Sequence, residues 1–307
     1  MQTQYKYGGW SNCIRLNNGQ IELIVTTDVG PRVIRMGFIG GQNFFYEVPD
    51  DLGKTGGNQW RAYGGHRLWH APEAAPRTYA PDNGPLQYVW EGQTLKLTQP
   101  KEPSTGIAKE IEITLDPAAN HVKVLHRLIN QNLWAVELAP WCLSVLAPGG
   151  RAIFPQEPYR SHPEYLLPAR PMVLWHYTDM SDPRWIWGKK YVQLRQDPAA
   201  TTKQKLGLMN TPGWAAYSLK GELLLKRFGF DPNRAYADFG CNNEVFTNNE
   251  MLEMETLGPL SRLAPGGAVE QVEQWFVYRQ PVGENEAAVD ASVLPLVRET
   301  ELFKPGQ

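Results

Sequence analysis

Apolar and polar residues alternate with a period of two along most of the chain. Ile14 and Leu16 lead into Asn17-Asn18-Gly19, a tight-hairpin signal, and Ile21, Leu23 and Val25 resume the alternation until Gly30-Pro31 breaks it. Residues 33–38 continue in strand fashion and Gly40-Gly41 ends the run. The pattern recurs where 86–90 turns at Glu91-Gly92 into 94–98, and where Ile111, Ile113 and Leu115 alternate with Glu110, Glu112 and Thr114. Asp116-Pro117-Ala118-Ala119-Asn120 turns the chain into 122–129, Lys220-Gly221 joins 215–219 to 222–228, and 269–278 closes the series. Hairpin after hairpin, with almost no helical periodicity between them, predicts an all-β fold: a large antiparallel β-sandwich with few short helices. The clearest helix runs from Asn285, an N-cap, through Val289 and Val293 to a break at Pro295. The 307 residues suit one large sandwich core, so residues 1–307 are read as a single domain.

Two long segments, 50–85 and 155–184, lack periodicity and concentrate Trp, His, Arg and Asp, the composition of functional loops on a β scaffold. The chain is rich in aromatics, with 11 Trp, 13 Tyr and 10 Phe, which suit both inter-sheet packing and stacking on sugar rings. Acidic and basic residues nearly balance, at 32 against 30, and no basic stripe is present, which argues against a nucleic-acid partner. No apolar run has the length of a membrane span and the N-terminus has no signal-peptide core. Cys13, Cys142 and Cys241 are odd in number and far apart, as in a reducing compartment; a cytoplasmic location is the expectation.

The densest polar cluster is 60–73, where Gly64-Gly65 permits close backbone approach and Arg61, His66, Arg67, Trp69, His70 and Glu73 follow within a few residues. Such groups can bind many hydroxyls while an indole covers a ring face; the alternative is a set of satisfied polar groups tying a long loop to the sandwich. A second cluster holds Trp175, His176, Asp179 and Arg184, where carboxylate and guanidinium suit a sugar diol or simply bridge one another. In 252–257, strand alternation sends Leu252, Met254 and Thr256 one way and Glu253, Glu255 and Leu257 the other, a carboxylate face that is either a site or a half-exposed strand. His66 and His70 stand four apart, but the Gly-Gly and Pro around them argue against the helix that would turn both toward one metal, so no metal is assigned.

The hairpin at Asn17-Asn18-Gly19, the run Thr26-Thr27-Asp28-Val29-Gly30-Pro31-Arg32-Val33-Ile34 and Gly41-Gln42-Asn43-Phe44 resemble the N-terminal strands of the galactose mutarotase (aldose 1-epimerase) superfamily. Gly64-Gly65 with downstream Pro72 is similar to the Gly-Gly loop of hexose-6-phosphate epimerase relatives, and Glu255-Thr256 before Leu263-Ala264-Pro265-Gly266 is similar to the late strand that carries the family's catalytic base. Order and spacing agree over essentially the whole chain. The resemblance implies a small-molecule sugar ligand, no cofactor, and an aldose 1-epimerase-like isomerase in which a carboxylate removes the O1 proton and an imidazole protonates the ring oxygen. It implies Glu255 as base. Where the family carries the acid, this chain has Trp141, which leaves His66 as the first candidate with His70, His162 and His176 behind it. Two other readings stand beside it: a binding or sensing module that has lost the acid, and a lyase or hydrolase on a related sandwich. The sugar, its phosphorylation and the oligomeric state are left open.

Overall fold

A computed structural model describes residues 1–301. Two sheets of 11 and 10 strands lie face to face, every pairing antiparallel along the recorded registers, as the recurrent hairpins predict. The larger sheet runs from Gln2–Tyr7 at one edge through Trp10–Asn17, Ile21–Thr26, Arg32–Phe38 and His66–Ala71 to Val136–Leu146 at its centre. It continues through Leu252–Leu257, Asn243–Thr247 and Gln204–Leu208 to Met172–Leu174, with Ser261–Leu263 paired off the main path. The second sheet is centred on Glu222–Phe228, Ala268–Tyr278 and His121–Asn130. Leu68, Cys142, Leu146 and Met254 from the first sheet and Leu97, Ile113, Val124 and Trp275 from the second fill the space between them in one continuous core. Among the described residues no helix is long and apolar enough to cross a membrane.

Two local expectations are corrected. Asn285 does cap a helix, its side chain accepting from the Ala288 amide, but Pro295 does not end the helical stretch. Glu286–Ser292 stops at Val293, and Pro295 sits in the first turn of a second helix, Leu294–Glu299, where its missing N–H costs nothing. The segment 66–71, read as part of a loop, is a fully buried strand between Arg32–Phe38 and Val136–Leu146. Gly64 and Gly65 deliver the chain into it with φ of +91° and +73°, and a Cβ on Gly64 would stand 2.0 Å from the Tyr46 carbonyl oxygen. Arg32, wholly buried, pins the same entry: it donates to the Ala62 and Gly64 carbonyls and pairs with Asp82 at 2.8 Å.

The alternation of 66–71 sends His66, Leu68 and His70 toward the second sheet and Arg67, Trp69 and Ala71 away from it. His66 therefore joins a polar network inside the core. His126 Nδ1 lies 3.1 Å from the Gln271 carbonyl, which can only accept, so this nitrogen carries the hydrogen. His126 Nε2 is then the acceptor for His66 Nε2–H at 2.7 Å, and His66 Nδ1 accepts from the Ser144 hydroxyl at 2.8 Å. Both imidazoles are neutral in this chain of bonds. A proton on His126 would set two N–H groups against each other. Burial, with Lys226 among the neighbouring cations, holds His66 well below the ordinary histidine range, and burial lowers His126 to about 4.

A pH dependence follows. Both imidazoles stay neutral in the fold down to low pH but take up protons in the unfolded chain below about 6.5, so the unfolded state binds more protons in that window. Stability is therefore full above about pH 6.5 and is lost as pH falls toward 4, by up to about 1.4 kcal/mol per pH unit for each imidazole. Urea denaturation at pH 7.5, 6 and 5 should show midpoints falling in that order. His126→Gln should flatten the profile; an equal fall in that variant would assign the pH dependence to other groups.

Candidate functional site

The outward face of the larger sheet carries the site. Arg67 and Trp69 of His66–Ala71, Trp141 and Leu143 of Val136–Leu146, and Glu253, Glu255 and Leu257 of Leu252–Leu257 share it, because Leu143 stands opposite both Arg67 and Glu255 and Trp141 opposite both Trp69 and Leu257. Glu244 lies across from Glu255, and Gly207, two residues from Lys205, across from Glu244, which brings Lys205 to the same face. Trp69, Ala71, Ala139, Trp141, Leu143 and Leu257 form an apolar cluster of their own here, with Trp60 and Tyr79 half-buried against it. Every residue of Leu252–Leu257 is buried, so the carboxylate face is not a solvated strand.

Two ion-paired groups sit within this aromatic setting. Arg67 donates to Glu253 at 3.0 Å, with its guanidinium carbon 4.3 Å from the Trp69 ring centre and 5.8 Å from that of Trp60. Lys205 lies 2.8 Å from Glu244 and 3.2 Å from Glu255, with its ammonium 5.0 Å from the Trp141 ring and 4.7 Å from the Trp175 ring. Trp141 donates its indole N–H to Glu255 at 2.7 Å. The aromatic rings form a file: Trp60 and Tyr79 meet Trp69 edge to face, Trp69 meets Trp141 likewise at 5.4 Å, and Trp175 closes the file beyond Lys205.

Burial would lower Lys205, but Glu255 and Glu244 outweigh it and hold the ammonium well above its ordinary range. Burial pushes Glu244 well above the carboxylate range against the pull of Lys205, and raises Glu253 against the pull of Arg67. Among the described residues, Glu255 Oε1, Glu244 Oε1, Arg67 Nε and Trp60 Nε1 make no hydrogen bond although buried, while Glu244 Oε2 is met by the Lys205 ammonium. An unmet buried polar group costs about 1–3 kcal/mol, so each of these atoms calls for a partner, whether a water, an ion or a ligand group.

The structure brings together Arg67, Trp69, Trp141, Trp175, Glu253 and Glu255 from the residues read in the sequence. His66 is not among them: it faces the inter-sheet core, on the opposite side of the sheet from Glu255. His70 faces inward too, 3.4 Å from Glu102 and within reach of Arg77. Arg61 donates to the Gly56 carbonyl and serves its own loop. Arg184 pairs with Asp182 at 2.8 Å and donates to Thr202, while Asp179 accepts from Ser181, so both hold the 178–184 turn. Glu73 is exposed and accepts from Tyr79 at the rim, and His176 is exposed beside Trp175. Lys205 and Glu244 were not read from the sequence, since each lies on a short strand whose charged residue resembles an ordinary outward one. His66, His126 and Glu273 bring three donor atoms within 4.8 Å of one another. Glu273 already accepts from Thr256, Trp275 and Lys226, so its charge is met by the Lys226 ammonium.

No protein-family model matches the sequence, and no curated protein matches it significantly. Solved structures do match. A TPR-domain containing protein from Parabacteroides distasonis is 14% identical with a TM-score of 0.58 over 89% of this chain, which spans about half, 48%, of that protein. A candidate aldose 1-epimerase from Klebsiella pneumoniae is 11% identical with a TM-score of 0.56, covering 96% of this chain and 84% of that one. A galactose mutarotase-like protein from Lactobacillus casei is 10% identical with a TM-score of 0.52, covering 87% of this chain and all of that one. Two facing antiparallel sheets, a central strand pair carrying the carboxylate face and these matches agree: the chain has the galactose mutarotase-like fold.

Proposed function

We propose that the chain binds a neutral sugar on the outward face of the larger sheet, against the file of indoles from Trp60 to Trp175. The observation that carries this reading is the Arg67–Glu253 pair set between the rings of Trp69 and half-buried Trp60: a guanidinium and a carboxylate to exchange hydrogen bonds with neighbouring hydroxyls, in an aromatic file that Trp69 anchors from below and Trp60 opens toward the C–H face of a ring. The names of the structural neighbours point to sugars as well. Three carboxylates against two cations leave the site without the positive excess that a phosphorylated sugar would call for.

Binding without anomer exchange fits the geometry better than mutarotation by the Glu255 and His66 pair. Those two side chains lie on opposite faces of one sheet, and Glu255 is already engaged by Trp141 and Lys205. A catalytic reading keeps one observation in its favour: His176 is exposed in the groove that Trp175 shares with the site, the one imidazole among the described residues near enough to be tested as a proton donor while Glu255 removes a proton.

Calorimetric titration with glucose, galactose, mannose and their disaccharides should find a ligand. Trp69→Ala should weaken it by about 1–3 kcal/mol, roughly 5- to 150-fold, in a variant whose folded state is verified by circular dichroism. An unchanged dissociation constant would remove Trp69 from the site. Saturation-transfer NMR on the same sugars should show no anomer exchange above background; exchange abolished by His176→Asn would establish the catalytic reading instead.

A further inference from the structure

We propose that the groove beside Trp175 is a second sugar subsite, so that the ligand is an oligosaccharide whose next ring stacks on Phe239. This rests on the sugar-binding reading and extends it. The groove has a volume of about 380 Å³ and is lined by Val173, Leu174, Trp175, His176, Asp238 and Phe239. Phe239 is 94% exposed, with almost none of its ring packed on the protein. A phenyl ring so displayed gains nothing for the fold, since apolar area left in water contributes no burial energy.

The backbone holds it there at a cost. Asp238 and Phe239 both adopt left-handed conformations, with φ of +50° and +59°, which residues with a Cβ disfavour. The turn is anchored rather than loose: Ala237, buried in the outward apolar cluster, accepts at its carbonyl from the Gly240 and Cys241 amides at 3.0 and 3.1 Å. The ring is thus presented from a fixed base, which limits the ordering cost of stacking a ligand on it.

The groove adjoins the inner site through Trp175. Trp175 lines the groove and also lies 4.7 Å from the Lys205 ammonium, and its ring would be 3.3 Å from a Cβ on Gly207, so it packs over the strand that carries Lys205. Glu244, paired with that ammonium through Oε2, is 1% exposed, and its Oε1 makes no hydrogen bond among the described residues. Asp238 and His176 stand in the lining to exchange hydrogen bonds with hydroxyls. The carboxylates of Asp238, Glu244 and Glu255 disfavour an anionic occupant, and an apolar peptide would leave the hydrogen-bonding groups of Asp238 and His176 unused beside the rings of Trp175 and Phe239. A neutral saccharide ring meets all three features.

Calorimetry decides it with maltose-, cellobiose-, mannobiose- and galactobiose-series saccharides, each beside its own monosaccharide. The best series should bind as disaccharide or trisaccharide at least about tenfold more tightly than as monosaccharide. Phe239→Ala should erase that difference and leave the monosaccharide constant unchanged, while Phe239→Trp should retain it. Equal affinity of short and long members, or a difference that survives Phe239→Ala, overturns the second subsite and leaves the inner site standing. If no sugar of the panel binds the unaltered chain, both readings fall together.

Discussion

Lys226→Ala should lower the stability of the chain by about 3–5 kcal/mol, the usual consequence of leaving one member of a buried ion pair alone. Lys226 and Glu273 are both wholly buried between the sheets, with Nζ 2.9 Å from the carboxylate. Glu273 also accepts from the Thr256 hydroxyl and the Trp275 indole, both at 2.6 Å, and Lys226 holds its carboxyl below the ordinary range despite burial. Without the ammonium, a carboxylate stays in the core with two neutral donors. Combining Lys226→Met with Glu273→Gln removes both charges and keeps an acceptor for Trp275, so the double variant should regain much of the loss. Urea denaturation of the three proteins measures this. A double variant as unstable as Lys226→Ala would mean that the position needs the charges themselves.

Lys205→Met should have a comparable effect on stability and a larger one on binding. Its ammonium is the cation shared by Glu244 and Glu255, which lie opposite one another in adjacent strands. Removing it leaves two buried carboxyls with no counter-charge, at a cost of about 3–5 kcal/mol near neutral pH. The sign of the pH dependence is fixed by the carboxyls. Burial already holds Glu244 well above the carboxylate range, and the variant loses the ammonium that pulls it down, so Glu244 stays protonated in the fold while the unfolded chain ionises: the variant loses stability as pH rises above about 4.5 and recovers as pH falls toward it. The gap between variant and parent should therefore be wider at pH 8 than at pH 5. Sugar binding should be lost at pH 7, since the orientation of Glu255 and the setting of Trp141 and Trp175 depend on the same ammonium. A variant that keeps both the parental denaturation midpoint and the parental affinity would show that Lys205 is a peripheral charge.

The sequence made the sandwich legible because hairpins are local: Asn17-Asn18-Gly19 and Lys220-Gly221 state where strands reverse, and period-two alternation states which residues share a face. The parity of Leu252–Leu257 was readable for the same reason. What alternation cannot say is how much covers the outward face, and here the cover comes from residues far away in sequence: Trp60, Tyr79 and Ala237 pack on it. Alternation alone therefore leaves Glu253 and Glu255 open between a site and a half-exposed strand.

The segment 66–71 was misread because its strand carries His66, Arg67 and His70, polar residues on both faces, each satisfied by a partner from another part of the chain. Once it is a strand, neighbouring residues 66 and 67 must point to opposite sides, and the pairing of His66 with Glu255 fails on that ground alone. Trp141, at the position where an acid was sought, donates a hydrogen bond to Glu255. Lys205 and Glu244 carried no local signal, because their meaning lies in the register between strands about 40 residues apart.

The central claim is the location of the ligand, and a crystal structure of the chain with the tightest-binding saccharide of the panel tests it most directly. The expected result is a pyranose ring against Trp69 with hydroxyls in reach of Arg67 and Glu253, and a following ring toward Trp175 and Phe239. A saccharide bound elsewhere, with Arg67, Glu253 and Trp69 untouched, would contradict it.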